Sequence, residues 1–292
     1  MQVSRRTGTG GASPEAMRLH QLRFSSKTRF PLFPDEAHRR AAVQRLAAAA
    51  QGKLVSFGFV DEHGHSVVVE DDGHIGRLGR SVGAALGAVA AEPLEPVWHE
   101  PVENRAHLKA AVRYQLNRPV KHGVPTHPAL WSGSCFPDLL GARVIDGLKL
   151  RLFEVLPRLV PEDLLPMVGL RAGAVRAASD ATIRGLGALR VKHAAASAFA
   201  AQPGLEGTSG IVVRARRVVA ELSRDAGIGT GEVIWALGVT RSGLSRLGQH
   251  NVEDAWVLAV RLRLTLEETV QAEIERDWCR RFIREQQQST LR

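Results

Sequence analysis

Two histidines flank a single glycine in the stretch VDEHGHSVVVE, residues 60–70. In a β-strand, residues two apart project from the same face, so His63 and His65 could hold one divalent cation with neutral ring nitrogens. Gly64 would then point to the opposite face. A pair of histidines that only form hydrogen bonds along a strand would have the same spacing, so the triplet leaves both interpretations open.

Tyr114 is the only tyrosine in the chain, and it falls in a helix predicted over about residues 104–116. At 100° per residue it lies roughly 200° from Val112, a member of the apolar stripe, and so on the opposite side of the helix. His107 and Arg118 fall within about 40° of it. This predicts a polar face that holds a phenol, an imidazole and a guanidinium, either as a reactive group or as an ordinary solvated surface.

The scaffold for these residues is predicted from the hydrophobic periodicity between about residues 18 and 103. The predicted elements, in order, are the strand MRLHQLRF, a helix from Asp35 to Ala50, the strands KLVSFGFVDE and HGHSVVVEDD, a helix from Ile75 to Val89, and an edge strand in EPVWHEPVE. The hairpin turns near Asp61 and Glu62. This β-α-β-β-α-β order is typical of a ferredoxin-like split βαβ fold, within an α+β class. The next helix, carrying Tyr114, is expected to end before Pro119 because the residue preceding a proline disfavours helical geometry.

Read together, FVDEHGHSVVV, YQLNRPVKHGV and WSGS resemble the single-tyrosine transposases of the HUH endonuclease superfamily, and within it the REP-associated tyrosine transposases. The N-terminal HQLRFSSKTRFPLF is also similar to the opening strand of that family. The resemblance covers about residues 18–143. It implies an HUH nuclease domain that cuts single-stranded or hairpin DNA through a 5′-phosphotyrosine link. Tyr114 would be the nucleophile, and His63 and His65 would bind Mn²⁺ or Mg²⁺.

Three positions depart from the family pattern: Glu62 precedes the pair, Gly64 separates it, and Arg118 follows the tyrosine by four. Family members commonly carry an amide or acid at that last position, and a guanidinium cannot ligate a metal. Glu62, His107 or Asn117 would have to compensate. Arg118, with Lys121 of the same turn, could instead bind DNA phosphate. The alternative is a catalytically decayed, domesticated protein that acts only as a DNA-binding protein or a regulator.

Composition bounds the remaining possibilities. The 292 residues allow two domains, and a formal net charge of +9 favours a polyanionic partner such as DNA. Two cysteines far apart provide neither a disulfide framework nor a thiolate metal site. Without an apolar stretch long enough to cross a bilayer or to act as a signal peptide, no membrane partner is expected and the predicted location is the cytoplasm, at the bacterial nucleoid. The oligomeric state is left open.

The rest of the chain is predicted to be helical. A basic disordered arm over 1–17 and a nuclease domain over 18–145 would be followed by a linker or helical section over 146–210 and a helical DNA-binding domain over 211–292. A capping box at Thr265 and Glu268 predicts the start of a late helix.

The stretch EVIWALGVTRSGLSRL has the apolar and turn positions of a helix-turn-helix, with Thr240 placed to cap the second helix. The residues expected on the exposed face of that helix, suited to base edges and phosphates, are Arg241, Ser242, Ser245 and Arg246. A plain helical hairpin with a solvated face is the alternative. An RNA-binding ferredoxin-like module is a third reading of the first half, supported only by Phe57 and Phe59.

Overall fold

The computed structural model describes residues 18–124 and 126–290, and the side chains of these as far as residue 277. The predicted arm over residues 1–17 lies outside the described residues. Of the described helices, none is both long and apolar enough to pass through a membrane.

A four-stranded antiparallel sheet organises the N-terminal half. Its strands are β1 (Arg18–Ser25), β2 (Leu54–Phe59), β3 (His63–Glu70) and β4 (Trp98–Pro101). Their spatial order is β2-β3-β1-β4, and every neighbouring pair is antiparallel. The hairpin between β2 and β3 turns through residues 60–62, as predicted. Together with the helices below, this sheet confirms the predicted α+β class.

Three helices pack on this sheet. They are α1 (Glu36–Ala50), α2 (Ile75–Gly87) and α3 (Arg105–Lys121). Asp35 caps α1 by accepting a hydrogen bond from the backbone N–H of His38 at 2.9 Å. The helices α1 and α2 pack on each other and share one core with the sheet, whereas α3 lies over β2. There the backbone of Gln115 comes so close that a Cβ on Gly58 would lie 2.6 Å from its carbonyl oxygen.

The aromatic pair Phe57 and Phe59 belongs to this core. Both side chains are buried, and their rings stack at a centroid distance of 5.9 Å. Rings enclosed in this way cannot stack on a base, so the feature that suggested an RNA-binding module has a structural role instead.

The predicted end of α3 before Pro119 is wrong. The helix continues through Pro119 to Lys121, and the next turn closes with hydrogen bonds from His122 N–H to the Arg118 carbonyl and from Val124 N–H to that of Pro119. Pro119 is buried, so tertiary packing outweighs the local cost of a proline that cannot donate to the preceding turn. As a result, Tyr114, Arg118 and Lys121 are carried by a single helix.

Residues 146–210 take part in two hydrophobic cores. After α4 (Phe136–Leu139), the short helix α5 (Leu152–Val155) and the turns up to about residue 175 pack against the core of the sheet. From residue 178 to the end of this section, the buried side chains belong to a second, Ala-rich core formed by α6 (Asp180–Ala198) and later helices. The domain boundaries themselves stay predictions.

The remaining helices are α7 (Gly210–Asp225), α8 (Thr230–Leu237), α9 (Arg241–Leu247) and α10 (Asp254–Thr290). The predicted helix start at Thr265 and Glu268 is wrong, because α10 begins at Asp254. The Thr265 hydroxyl makes its shortest hydrogen bond, 2.5 Å, to the carbonyl of Arg176 on a neighbouring segment, and the Leu262 carbonyl in the preceding turn lies 3.0 Å away. Glu268 pairs with Arg190.

The helix α10 joins both halves. Its residues Val260 and Leu264 are buried in the second core, whereas Leu266 and Val270 are buried in the core of the sheet. One continuous helix therefore contributes to both hydrophobic cores.

Candidate functional site

Three of the residues expected to carry chemistry lie together at the start of β3. His63 and His65 project from one face of the strand, with their ring centroids 6.1 Å apart. The ring of Tyr114, on α3, lies edge-on to His65 at 5.7 Å. The close packing of α3 on β2 brings the phenol to the two imidazoles.

Close packing on the opposite face of β3 explains why a glycine, Gly64, stands between the two histidines. A Cβ at this position would lie 2.2 Å from the ring of Phe24 and 2.6 Å from the Cβ of Phe59. The aromatic core on the far side of the sheet therefore excludes any side chain here. The departure from the aliphatic residue expected by resemblance follows from packing.

His65 is buried, and this burial lowers its pKa to about 4, with Arg23 as a second cause. The ring is therefore neutral at physiological pH, the form in which histidine binds metals. Its Nδ1 lies 2.7 Å from Nε2 of Gln21. With the amide in this orientation Nε2 of His65 carries the proton, whereas turning the Gln21 amide over would let its oxygen accept from Nδ1–H and free Nε2 for a cation.

A third imidazole, missed in the sequence, stands beside the pair. The ring of His122 lies 4.9 Å from that of His63, just beyond the end of α3. Desolvation lowers the pKa of His122, as does the nearby Arg118, whereas Glu62 opposes the shift. The only signal in the sequence was its place in YQLNRPVKHGV, and the expected early end of α3 concealed its proximity to His63.

The helical wheel predicted that Arg118 lies on an exposed polar face, and this is wrong. Its side chain is 0% exposed, and none of its three guanidinium nitrogens has a hydrogen-bond partner among the described residues. The guanidinium carbon lies 5.1 Å from the centre of the Tyr114 ring. Burial lowers the pKa of Arg118 to about 10, so the group is still charged at neutral pH. A buried, unpaired cation is costly and is rarely left without an anion to satisfy it.

Lys121 is the second cation next to the Tyr114 ring. Its Nζ lies 5.0 Å from the Tyr114 ring centroid, and its side chain is exposed. Two cations on successive turns of one helix thus border the same ring. This arrangement makes the electrostatic potential beside the phenol ring positive.

The three residues expected to compensate for a missing ligand occupy different places. Glu62 is exposed in the turn between β2 and β3 and acts on the pKa of His122. Nδ1 of His107 accepts from the backbone N–H of Glu103 at 3.4 Å, at the start of α3. The Asn117 amide donates to the carbonyls of Arg113 and Met167. His107 and Asn117 therefore take part in helix capping and packing.

A cluster with metal-ligand potential lies at the opposite end of β3. Glu70, Asp71 and His74 are, among the described residues, a set of three whose ligand atoms all lie within 4.8 Å of one another. Lys53 pairs with Glu70, and Nδ1 of His74 lies 2.6 Å from an Asp71 oxygen. The contact between Asp71 and His74 links the end of β3 to the start of α2, whereas Lys53 precedes β2, so each side chain of the cluster already has a partner.

The WSGS stretch forms hydrogen bonds with the end of β2. Nε1 of Trp131 donates to the Phe59 carbonyl at 2.7 Å, and the Phe59 N–H donates to the carbonyl of Gly133 at 3.0 Å. A Cβ on Gly133 would lie 2.6 Å from that same Phe59 oxygen. The motif therefore holds the strand end that leads directly into His63.

In the helical half, α8 and α9 are joined through Gly238, whose φ of 62° suits glycine. The Thr240 hydroxyl caps α9 by accepting from the backbone N–H of Gly243 at 3.1 Å. The four predicted contact residues, Arg241, Ser242, Ser245 and Arg246, are all exposed. A concave surface of about 410 Å³ beside α9 is lined in part by Arg216, Arg217, Arg246 and His250.

No protein-family model and no curated protein matches the chain. Among solved structures, a REP-associated tyrosine transposase bound to a REP hairpin is similar to part of it, with a TM-score of 0.37 and 17% sequence identity. The likeness covers 51% of this chain and 95% of that one. It is distant.

Proposed function

We propose that the protein is a single-strand DNA transesterase, related to transposases, in which Tyr114 attacks a phosphodiester. The observation that carries this proposal is the buried, unpaired guanidinium of Arg118 next to the phenol. Because the guanidinium is 0% exposed, a phosphate oxygen would reach it only after the side chains that cover it move aside, and it would then supply the missing charge-assisted hydrogen bonds. The same phosphate would lie within reach of the Tyr114 oxygen and the two imidazoles.

In the proposed reaction the phenol oxygen forms a bond to phosphorus, and the bond from phosphorus to the 3′ oxygen breaks. The phenol loses its proton, and the departing 3′ oxygen gains one, so the products are a 5′-phosphotyrosine and a free 3′-OH. A covalent intermediate keeps the energy of the phosphodiester for a later rejoining. Arg118 and Lys121 would stabilise the charge that builds on the phosphate oxygens.

A divalent ion fits this site in part. His65 is neutral, and rings 6.1 Å apart can accommodate one ion, since each metal–nitrogen bond is about 2.1 Å long. His122, whose ring lies 4.9 Å from that of His63, is the nearest further imidazole, but among the described residues the three histidines do not form a set whose ligand atoms all lie within 4.8 Å of one another. Phosphate and water would therefore have to complete the shell. When bound, Mn²⁺ or Mg²⁺ would polarise the non-bridging oxygens.

The same proposal covers the architecture and the partner. The strand order and two crossover helices support a ferredoxin-like arrangement for residues 18–145, and the capped pair α8 and α9 supports a helix-turn-helix. The net charge of +9 supports DNA as the partner, single-stranded or in hairpins. We place the protein in the bacterial cytoplasm, at the nucleoid.

Covalent capture tests the reaction. The protein is incubated with a pool of labelled single-stranded hairpin DNAs and manganese, and protein that migrates with attached DNA is scored. Tyr114→Phe should abolish attachment and cleavage, because the chain has no second tyrosine. The change removes one oxygen from a partly exposed ring, so stability and DNA affinity should be retained. Equal cleavage by wild type and variant refutes the mechanism.

A second candidate function is DNA binding without catalysis. It is favoured by the absence, among the described residues, of a carboxylate that converges on His63 and His65. In that case wild type would bind hairpins but leave no covalent adduct with any metal.

A further inference from the structure

One row of side chains crosses the sheet next to the candidate site. In the register of β3, β1 and β4, His65 lies opposite Arg23, and Arg23 lies opposite Trp98. Residues directly opposite one another in antiparallel strands project from the same face. Arg23 and Trp98 therefore share the face on which the two histidines and Tyr114 meet.

Trp98 is a solvated indole on this face. It is 54% exposed, and the neighbouring Arg23 is exposed as well. Trp98 is not among the residues of the hydrophobic core of the sheet, so core packing does not explain why a large aromatic ring stands here. Exposed tryptophan combined with cationic neighbours is a common arrangement for stacking a nucleic-acid base.

We propose that Trp98 stacks on one base of single-stranded DNA that flanks the phosphate at Tyr114, while Arg23 contacts the backbone between them. This inference deepens the proposed function and rests on it. Adjacent strands are about 4.8 Å apart, so Trp98 stands roughly 10 Å from His65 across the sheet. One or two nucleotides of an extended strand cover that distance.

The surroundings of Trp98 favour a nucleic acid over a protein. Its nearest neighbours on this face are charged or polar, with Arg23 on β1 and Glu100 two residues along β4. A protein partner would need a contiguous apolar patch, which this row does not provide. Arg23 also lies close enough to lower the pKa of Arg118, which puts its charge beside the proposed phosphate position.

The face selects single strands. A base paired in a duplex keeps both of its ring faces stacked on its neighbours, so an indole can stack only on a base that is unpaired. Glu100, whose register partner is Gln21, carries a negative charge that repels phosphate. The backbone would therefore pass on the Arg23 side of the indole.

Binding measurements without metal test this inference, because they require no cleavage. The probes are a fluorescein-labelled, unstructured 20-nucleotide DNA of mixed sequence and a blunt duplex of the same length. Trp98→Ala should weaken single-strand binding by about 5- to 150-fold, the equivalent of the 1–3 kcal/mol that stacking contributes per base, and leave duplex binding unchanged. Trp98→Phe should restore most of the affinity.

The control is Trp235→Ala, which removes an indole that is 72% exposed on α8. It should leave single-strand binding as it is. Both changes are at exposed rings, so thermal unfolding should be unaltered. Unchanged single-strand binding by Trp98→Ala, an equal loss on duplex, or no single-strand binding by wild type overturns the inference. If Trp98→Ala has its effect but wild type never forms a covalent adduct, the stacking site stands and the transesterase proposal fails alone.

Discussion

Replacing Arg118 by methionine should make the folded protein more stable while it weakens the hold on DNA. The guanidinium is fully buried, and its three nitrogens have no hydrogen-bond partner among the described residues. Methionine has a similar length and removes the charge. Replacement of an unpaired buried charge by an apolar side chain of similar volume is stabilising for this reason.

The magnitude follows from the pKa. Burial lowers the pKa of Arg118 from its ordinary value to about 10, and a change of this size corresponds to about 3 kcal/mol of folding free energy. Because the folded state holds this proton less tightly than the unfolded state, the penalty is complete at any pH below about 10 and declines only above it. At neutral pH the melting temperature should therefore rise by roughly 5–10 °C.

Urea unfolding and thermal melts at pH 7 measure this effect, with Arg113→Met as the matched control. Arg113 is exposed on the same helix, so its replacement should change stability by less than about 0.5 kcal/mol. A single-stranded oligonucleotide should raise the melting temperature of wild type more than that of Arg118→Met. A lower urea midpoint for Arg118→Met would refute the reasoning, since the guanidinium would then have partners inside the fold.

Two further results are expected. In calorimetric titrations with Mn²⁺, the double variant His63→Ala and His65→Ala should bind the ion more weakly than wild type. If the two proteins bind Mn²⁺ equally well, both with and without oligonucleotide, the proposed metal site is wrong. In the helical half, Arg241→Ala or Arg246→Ala should each lower the slope of log affinity against log salt for duplex DNA by about one, as expected when one phosphate contact is lost; an unchanged slope would exclude that residue from the interface.

The sheet half could be predicted because its patterns are local. The period of two in HGHSVVVE placed His63 and His65 on one face, and the register of the hairpin agrees with that pattern. The α+β class followed from the change between periods of two and of 3.6 along the chain. These signals depend on nearest neighbours in the sequence, so they can be read without knowledge of the tertiary fold.

The errors arose where packing outweighed local preference. Pro119 was expected to end α3, but its burial keeps the helix intact, and this puts Arg118 inside the protein and His122 beside His63. Thr265 was expected to start a helix, but its hydroxyl donates to the carbonyl of Arg176, on a segment that packs against α10. A helical wheel gives the direction of a side chain, yet it cannot tell which neighbouring segment will cover it.

The two-core helix α10 has a consequence for the order in which the chain can fold. The sheet and its helices are synthesised first, but Leu266 and Val270, which close their core, are supplied by α10 about 150 residues later than α3. On the ribosome, where synthesis proceeds at about 5–20 residues per second, the sheet half must wait roughly 8 to 30 seconds for these two side chains. Until then the apolar surface that α10 will cover is open to water and to other chains, so a polypeptide arrested before α10 should be a chaperone substrate.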